Sequence, residues 1–166
     1  MKYEFGHIDP WWDDSFKDLT YQYLPHKDTN MVNEWIDQGY TNVNLNGALC
    51  DMRDGSFSKK FIEFFNWKNA GAAIYQMNTG DVLPVHRDHY ITYQQVFNIT
   101  DPKVIWRAIV FMEDWKSGHY FEIDNVPLTN WKAGDYVMWN HDVLHMAANL
   151  GIEPRYTMQV TGMKNV

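Results

Sequence analysis

Cysteine occurs once in this chain of 166 residues, at Cys50. A lone cysteine excludes an intrachain disulfide, a cysteine-based zinc site and an iron–sulfur cluster. Any bound metal must therefore rest on histidine and carboxylate, a set suited to iron, manganese or zinc. Long apolar runs are missing as well. None approaches the roughly 20 residues that a membrane span needs, and the opening MKYEFGHIDP lacks the basic-then-apolar order of an export signal. We therefore expect a cytosolic (cytoplasmic) protein with no membrane partner. Positive charge is scarce: 14 Lys plus Arg stand against 21 Asp plus Glu, and the net charge is −7. The few basic residues are scattered, so nucleic acid is not an expected partner either. Repeats, low-complexity tracts and Pro/Gly/Ser-rich linkers are absent too, and we read residues 1–166 as one domain.

Hydrophobic residues make up 45% and charged residues 21%, the balance of a globular core-former. The first seventy residues read as helical support. Asp14-Ser15 has the chemistry to cap a helix through Phe16, Leu19, Tyr23 and Leu24 that ends at Pro25. Met31 to Gln38 predicts a second helix, stopped by Gly39. Ser56 is a cap for a third that places Phe57, Phe61, Phe64 and Phe65 on one face. After Gly71 the character changes. Short β-rich runs (AAIYQM, VLPVHRDHY, VIWRAIVFM, HYFEI, YVMW, RYTMQV) alternate with turn signals such as NTGD, DWKSG and WKAGD. Roughly eight short strands after a helical start predict a mainly β fold over 71–163. The expected form is an antiparallel jelly roll, the double-stranded β-helix of cupins and their relatives. Pro84 inside the second run is at odds with a central strand and wants an edge or a bulge.

Histidine supplies the chemistry. The tripeptide H-x-D occurs three times, at His7-Ile8-Asp9, His26-Lys27-Asp28 and His86-Arg87-Asp88. The first two lie in proline-flanked, turn-like stretches and read as surface pairs. His86 ends an apolar strand-like run, where a side-chain period of two puts His86 and Asp88 on one face and turns Arg87 away. A third ligand must come from further on, and His119, His141 and His145 are the candidates. Arg155, ten residues after His145, favours that one. With four arginines in the chain, a given position holds one by chance only ~2% of the time. A planar guanidinium binds a carboxylate through two parallel charge-assisted bonds, and Thr157 shares its strand face. Two histidines and one carboxylate on one face of an ion would leave positions open for exchangeable ligands.

The series HRD, WRAIVF and WKAGDYVMWNHDVLHMAANLGIEPRYT resembles the core of the iron(II)- and 2-oxoglutarate-dependent oxygenases over about the last ninety residues. More narrowly it resembles the aspartyl/asparaginyl β-hydroxylase and proline hydroxylase-like branch, with prolyl 4-hydroxylase-like enzymes as neighbours. The resemblance implies that His86, Asp88 and His145 hold Fe(II). It implies that Arg155 and Thr157 bind the 2-oxoglutarate C5 carboxylate, joined by Tyr75 and by Arg107 as a second arginine reaching the cosubstrate. Asn149 completes an H-x-x-x-N element that orients the distal turn. The implied reaction converts 2-oxoglutarate and O2 to succinate and CO2 with hydroxylation of a C–H bond. Asp88 favours hydroxylation over halogenation, since halogenating relatives replace that carboxylate. The chain departs from the narrower branch in two places. Ile109 stands where that branch has a histidine after the second arginine, and Asp88 stands where aspartyl β-hydroxylase lacks a carboxylate ligand.

The segment HYITYQQVFNITDPK reads as a long loop beside the metal, the usual carrier of specificity. His89, Tyr90, Tyr93 and Gln94 are its candidate substrate contacts, with Trp139 and His141 on the opposite wall. The expected substrate is a small molecule or a peptide side chain. Two other readings compete: a non-oxidative cupin-type metalloenzyme, which has no need of Arg155, and a metal-free jelly-roll binding module. The last would leave His86 and Asp88 facing inward without a partner, at a cost.

Overall fold

The structure is a computed structural model that describes residues 2–24, 26, 28–40, 48–51 and 56–164, with backbone alone for 48–51 and 56. Among them are strands β1 (Tyr3–His7), β2 (Gln22–Tyr23), β3 (Ala48–Asp51), β4 (Lys68–Met77), β5 (Val82–His86), β6 (Ile105–Phe111), β7 (His119–Ile123), β8 (Val126–Leu128), β9 (Asp135–Asn140), β10 (His145–Asn149) and β11 (Arg155–Met163). Helices are α1 (Thr29–Asp37), α2 (Ser56–Phe65) and α3 (Ile91–Phe97). No helix among the described residues is long and apolar enough to cross a membrane.

The strands form two antiparallel sheets, ordered β1-β9-β6-β11-β4-β3-β2 and β5-β10-β7-β8. From β4 onward the chain passes from one sheet to the other at every connection except the β7–β8 hairpin, the double-stranded β-helix pattern, so the fold is the jelly roll that the turn spacing predicts. Period-two alternation gives the larger sheet two apolar faces. Its outer face carries Ile74, Ala108, Val110, Met158 and Val160, packed under Phe16, Phe61 and Trp67. Helix α2 thus covers that face, with Phe61 buried and Phe64 largely exposed. The inner face carries Met77, Ile109, Phe111, Val137 and Trp139, packed against Phe121, Ile123 and Ala147 of the smaller sheet. Burying side chains of this size stabilises by about 1.5–3 kcal/mol each.

The first seventy residues are less helical than their composition predicts. The helix expected after Asp14 is a short 3-10 turn, Asp14–Asp18, capped by Asp13 rather than by Asp14 or Ser15. Buried Phe16 accepts a hydrogen bond on its carbonyl from the Tyr21 hydroxyl at 2.6 Å, and the chain then extends so that Gln22 and Tyr23 pair with Leu49 and Ala48. Pro25, the expected stop, lies outside the described residues. Strand β1 is a second departure: it pairs with β9 and extends the larger sheet. Helix α1 is present as expected, with Asp28 accepting from the Met31 amide at 3.1 Å and Gly39 at φ 99° beyond its end. Helix α2 begins at Ser56, whose expected capping side chain lies outside what is described.

Pro84 sits where a proline is tolerated. Strand β5 is an edge of the smaller sheet, and between the pairs His145–His86 and Ala147–Leu83 two residues, Pro84 and Val85, oppose Met146 alone. That bulge needs no ladder donor from Pro84, and it re-aims the end of β5.

Candidate metal centre and carboxylate pocket

The bulge delivers His86 to the mouth of the jelly roll directly opposite His145, the first residue of β10. Their rings lie 4.2 Å apart. Asp88 follows in the loop after β5 rather than on the strand itself, yet it turns to the same point. Its Oδ1 is 3.8 Å from His86 Nε2 and its Oδ2 is 3.5 Å from His145 Nε2. Arg87, also beyond the strand, points away to Asp142. One donor atom from each of the three residues lies within 4.8 Å of the others, so the triad could hold a metal ion.

The backbone prepares these donors. His86 Nδ1 donates to the Pro84 carbonyl at 2.7 Å and His145 Nδ1 donates to the Val143 carbonyl at 3.0 Å. Each bond fixes the tautomer that leaves Nε2 bare toward the shared space. Burial lowers the His86 imidazole to about 3, with its neighbour His145 adding repulsion, and burial lowers His145 too. For Asp88, burial alone would raise the carboxyl; Arg107, His145 and His86 outweigh it and hold it at about 2. Asp88 Oδ2 is buried and has no hydrogen-bond partner, an orphan that fits a metal ligand.

These shifts give a stability signature. A histidine whose folded pKa is depressed takes up its proton only on unfolding, so stability falls as pH drops below the unfolded value near 6.5. Each contributes a slope of up to about 1.4 kcal/mol per pH unit. Asp88 acts in the same direction at lower pH, its contribution being lost from about 3.8 downward. The melting temperature of the metal-free chain should therefore fall between pH 6.5 and 4, and a His86→Gln, His145→Gln variant should flatten that profile. An unchanged slope would mean that the imidazoles are not buried neutral.

Arg107, on β6, contacts the triad. Its Nη1 donates to Asp88 Oδ1 at 2.5 Å, its Nε reaches Thr161 Oγ1 at 3.4 Å, and its guanidinium stacks 4.8 Å from the Tyr90 ring. Turned toward it, the Gln159 amide oxygen accepts from Nε and Nη2 at 3.3 Å. The arginine expected to reach a cosubstrate therefore holds the triad carboxylate.

Arg155 is of a different kind. It is buried at the start of β11, opposite Met77, whose sulfur accepts from Nη1 at 2.9 Å. Rings of Phe111, Phe121 and Trp131 surround it at 5.7 to 5.9 Å. Its Nε has no partner, and no ion pair with a carboxylate is found for it among the described residues. Burial pushes the guanidinium down to about 10. Thr157 lies two residues on along the same face, in register with Tyr75 and Phe111.

Arg155, Thr157, Tyr75, Arg107 and the triad line one cavity of about 740 Å³ between the two sheets, room for two small molecules. His89, Tyr90, Tyr93 and Trp139 line it too. Gln94, His141 and Asn149 do not. Gln94 instead closes a turn by donating to the His89 carbonyl, and the expected loop from His89 to Lys103 contains helix α3. Asn149 is a clamp for the distal turn: its amide donates to the Met77 and Glu153 carbonyls at 2.8 Å and its oxygen accepts from Gly151 N at 2.9 Å. Asn149→Ala would orphan all three and should cost about 2–4 kcal/mol in a denaturant titration. A loss below about 1 kcal/mol would remove the clamp.

The second H-x-D is also corrected. His26 and Asp28 lie on the cavity wall, where Asp28 Oδ2 accepts from His89 at 2.6 Å and His26 packs on Trp35. His7 and Asp9 are the surface pair expected, with His7 on Asp135. His119 is spent on the Glu153 carbonyl. The aromatic enclosure of Arg155 was missed, because its rings come from three separate segments.

No family model matches this chain, and no curated protein matches it either. Solved structures do. A Pseudomonas putida prolyl-4-hydroxylase aligns over 99% of this chain and 94% of its own, with a TM-score of 0.56 and 12% identity. The non-heme alpha-ketoglutarate-dependent carbocyclase SnoK from nogalamycin biosynthesis aligns over 98% of this chain and 81% of its own, with a TM-score of 0.57 and 10% identity. At such identities the likeness is one of fold, and the chain has the double-stranded β-helix of these proteins, with a His-Asp-His cluster able to hold a metal at its mouth.

Proposed function

We propose that this chain is an Fe(II)- and 2-oxoglutarate-dependent dioxygenase that hydroxylates a C–H bond of a small polar substrate or a peptide side chain. A free amino acid or short peptide is the first choice of substrate. The observation that carries the reading is the buried, carboxylate-free Arg155 in the same cavity as the bare His-Asp-His donors. An enclosed guanidinium without a counter-ion costs several kcal/mol until an anion arrives. A non-oxidative cupin has no use for it, and a metal-free module has no use for the triad.

His86, Asp88 and His145 would hold the metal, and Arg155 with Thr157 would take the remote carboxylate of 2-oxoglutarate in a fork of parallel bonds. Bound there, iron and cosubstrate supply the oxidising chemistry that turns O2 and 2-oxoglutarate into CO2 and succinate while a C–H bond becomes C–OH. The chain contributes position and dryness. Arg107 fixes the Asp88 carboxylate, the backbone carbonyls at Pro84 and Val143 fix the imidazoles, and the cage of Phe111, Phe121 and Trp131 keeps water from the anion site. The deciding experiment is anaerobic addition of Fe(II) and then 2-oxoglutarate to the purified chain. A weak visible metal-to-ligand charge-transfer band should appear only with both; its absence at saturating cosubstrate would end this reading.

A further inference from the structure

The cavity has two unlike ends. Along β11 its cavity-facing positions run Arg155, Thr157, Gln159 and Thr161, and β4 sets Met77, Tyr75, Ala73 and Gly71 against them in register. Bulk on β4 thus falls away from the Arg155 end. At Gly71 an added Cβ would meet nothing within 4 Å, so this outer end is open. Its rim is apolar: Ile91, Val96 and Phe97 of α3, which is tied to this end by the Tyr93 hydroxyl donating to the Asn69 carbonyl, line the cavity while remaining 46, 67 and 40% exposed. Large apolar side chains grouped at a cavity mouth mark a surface that something apolar covers.

Inside that rim stands Arg107, in register with Thr161 and touching Asp88. An arginine has five N–H groups. The contacts to Asp88, Thr161 and Gln159 leave one N–H on each terminal nitrogen. Charge points the same way. On the oxygenase reading, a divalent cation, the two carboxylates of 2-oxoglutarate, Asp88 and Arg155 sum to zero, which leaves only Asp28 on the described wall to balance Arg107. Asp28 is engaged by the Met31 amide and by His89.

We propose that the outer chamber binds a small amphiphilic monocarboxylate, its carboxylate on Arg107 and its apolar tail along Gly71 and Ala73 toward Val96 and Phe97. This deepens the reading above and rests on it for the charge count, though not for the shape of the chamber. Because Arg107 touches Asp88, the carbon presented to the metal lies near the carboxylate and not at the tail end. A peptide-embedded residue, which has no free carboxylate, is excluded from the class. A plain fatty carboxylate and a free apolar amino acid share this chemistry.

The test is calorimetric titration of the chain loaded with Mn(II) and saturating 2-oxoglutarate, so that Arg155 is already occupied, with hexanoate, norleucine, norleucine amide, hexan-1-ol, hexylamine and acetate. Either hexanoate or norleucine should bind at least about tenfold more tightly than the last four, a difference of about 1.4 kcal/mol. Whichever of the two is tighter identifies the source. Arg107→Gln should bring the preferred ligand down to hexan-1-ol, and Val96→Ser with Phe97→Ser should weaken it while leaving acetate unchanged. Should Arg107→Gln fail to fold, Gly71→Leu, which fills open space, must block the preferred ligand instead. Equal binding of hexan-1-ol, hexylamine or norleucine amide, or of acetate, overturns the proposal, as does indifference to Gly71→Leu. The charge-transfer band is read separately, so a chain that shows the band and ignores both carboxylates refutes this inference alone.

Discussion

Asp88→Asn is expected to abolish Fe(II) binding and, with it, every 2-oxoglutarate-dependent signal. The substitution keeps the shape of the side chain and leaves an oxygen to accept from Arg107 Nη1, so the partner at 2.5 Å is not stripped of its acceptor. It removes the negative charge and a lone-pair oxygen from the position of Oδ2, which is buried and has no other partner. A divalent ion would then face two neutral imidazoles and a nearby cation, Arg107, with no anion between them. Losing the one charged ligand should cost at least about a hundredfold in affinity, roughly 3 kcal/mol. His145→Ala should do the same, because its Nε2 is 3.5 Å from Asp88 and its tautomer is set by Val143. Equilibrium dialysis against Fe(II) or Mn(II) measures the stoichiometry directly. The other two H-x-D pairs supply the controls. His7 lies on the surface with Asp135, and His26 Nδ1 is engaged by the Asp28 amide at 3.1 Å. His7→Ala and His26→Ala should each retain one equivalent of metal. If the pair of them abolished binding while His86→Ala did not, the metal would belong elsewhere.

The legibility of this site in the sequence follows from distance along the chain. His86 and Asp88 are two residues apart, and His145 and Arg155 open strands that are consecutive in the chain though in different sheets, so local spacing is enough to group them. Pro84 read as an objection because a bulge is a property of two strands, visible only when β10 is laid against β5. Strand β1 escaped for the same reason: Tyr3 meets Trp139 across more than a hundred residues, although the alternation of Tyr3 and Phe5 was a usable signal. Helix α3 escaped because its start carries no ordinary cap: Tyr90 precedes it at φ 52° with no side-chain cap bond, and only its end, at Asn98 with φ 51°, has a usual stop residue. Arg107 was assigned to the cosubstrate by likeness of position alone; only the fold reveals that Asp88 reaches it first. His26 and Asp28 are no part of the metal cluster, as expected, but they do not lie on the open surface: the packing of α1, which brings Trp35 against His86, carries them to the cavity wall.

Arg155→Met should remove 2-oxoglutarate binding while leaving the empty protein as stable as before. The two effects come from one fact, the absence of a carboxylate partner. In the empty cavity the guanidinium is held at about 10 against an ordinary 12.5, which corresponds to a penalty on the order of 3 kcal/mol for keeping it charged. The three surrounding rings and the Met77 sulfur return part of that, since a desolvated cation–π contact contributes up to about 2 kcal/mol. Methionine fills similar volume, packs well against aromatic rings and carries no charge to desolvate. The ligand-free melting temperature should therefore hold steady or rise. With the cosubstrate the balance reverses. Wild type gains a buried charge-assisted pair, and the variant must bury a carboxylate with no cation, so affinity should fall by several kcal/mol. Saturating 2-oxoglutarate with Mn(II) should then raise the melting temperature of wild type, as mass action requires, and leave Arg155→Met unmoved. Metal binding should be unchanged, because Arg155 touches none of His86, Asp88 or His145. A drop of many degrees in the ligand-free variant would show that the arginine is a structural member of the aromatic core. Parallel loss of metal and cosubstrate would show that the two sites fold as one unit. Retained cosubstrate affinity would refute the assignment of the remote carboxylate to Arg155 and would leave its burial without a function.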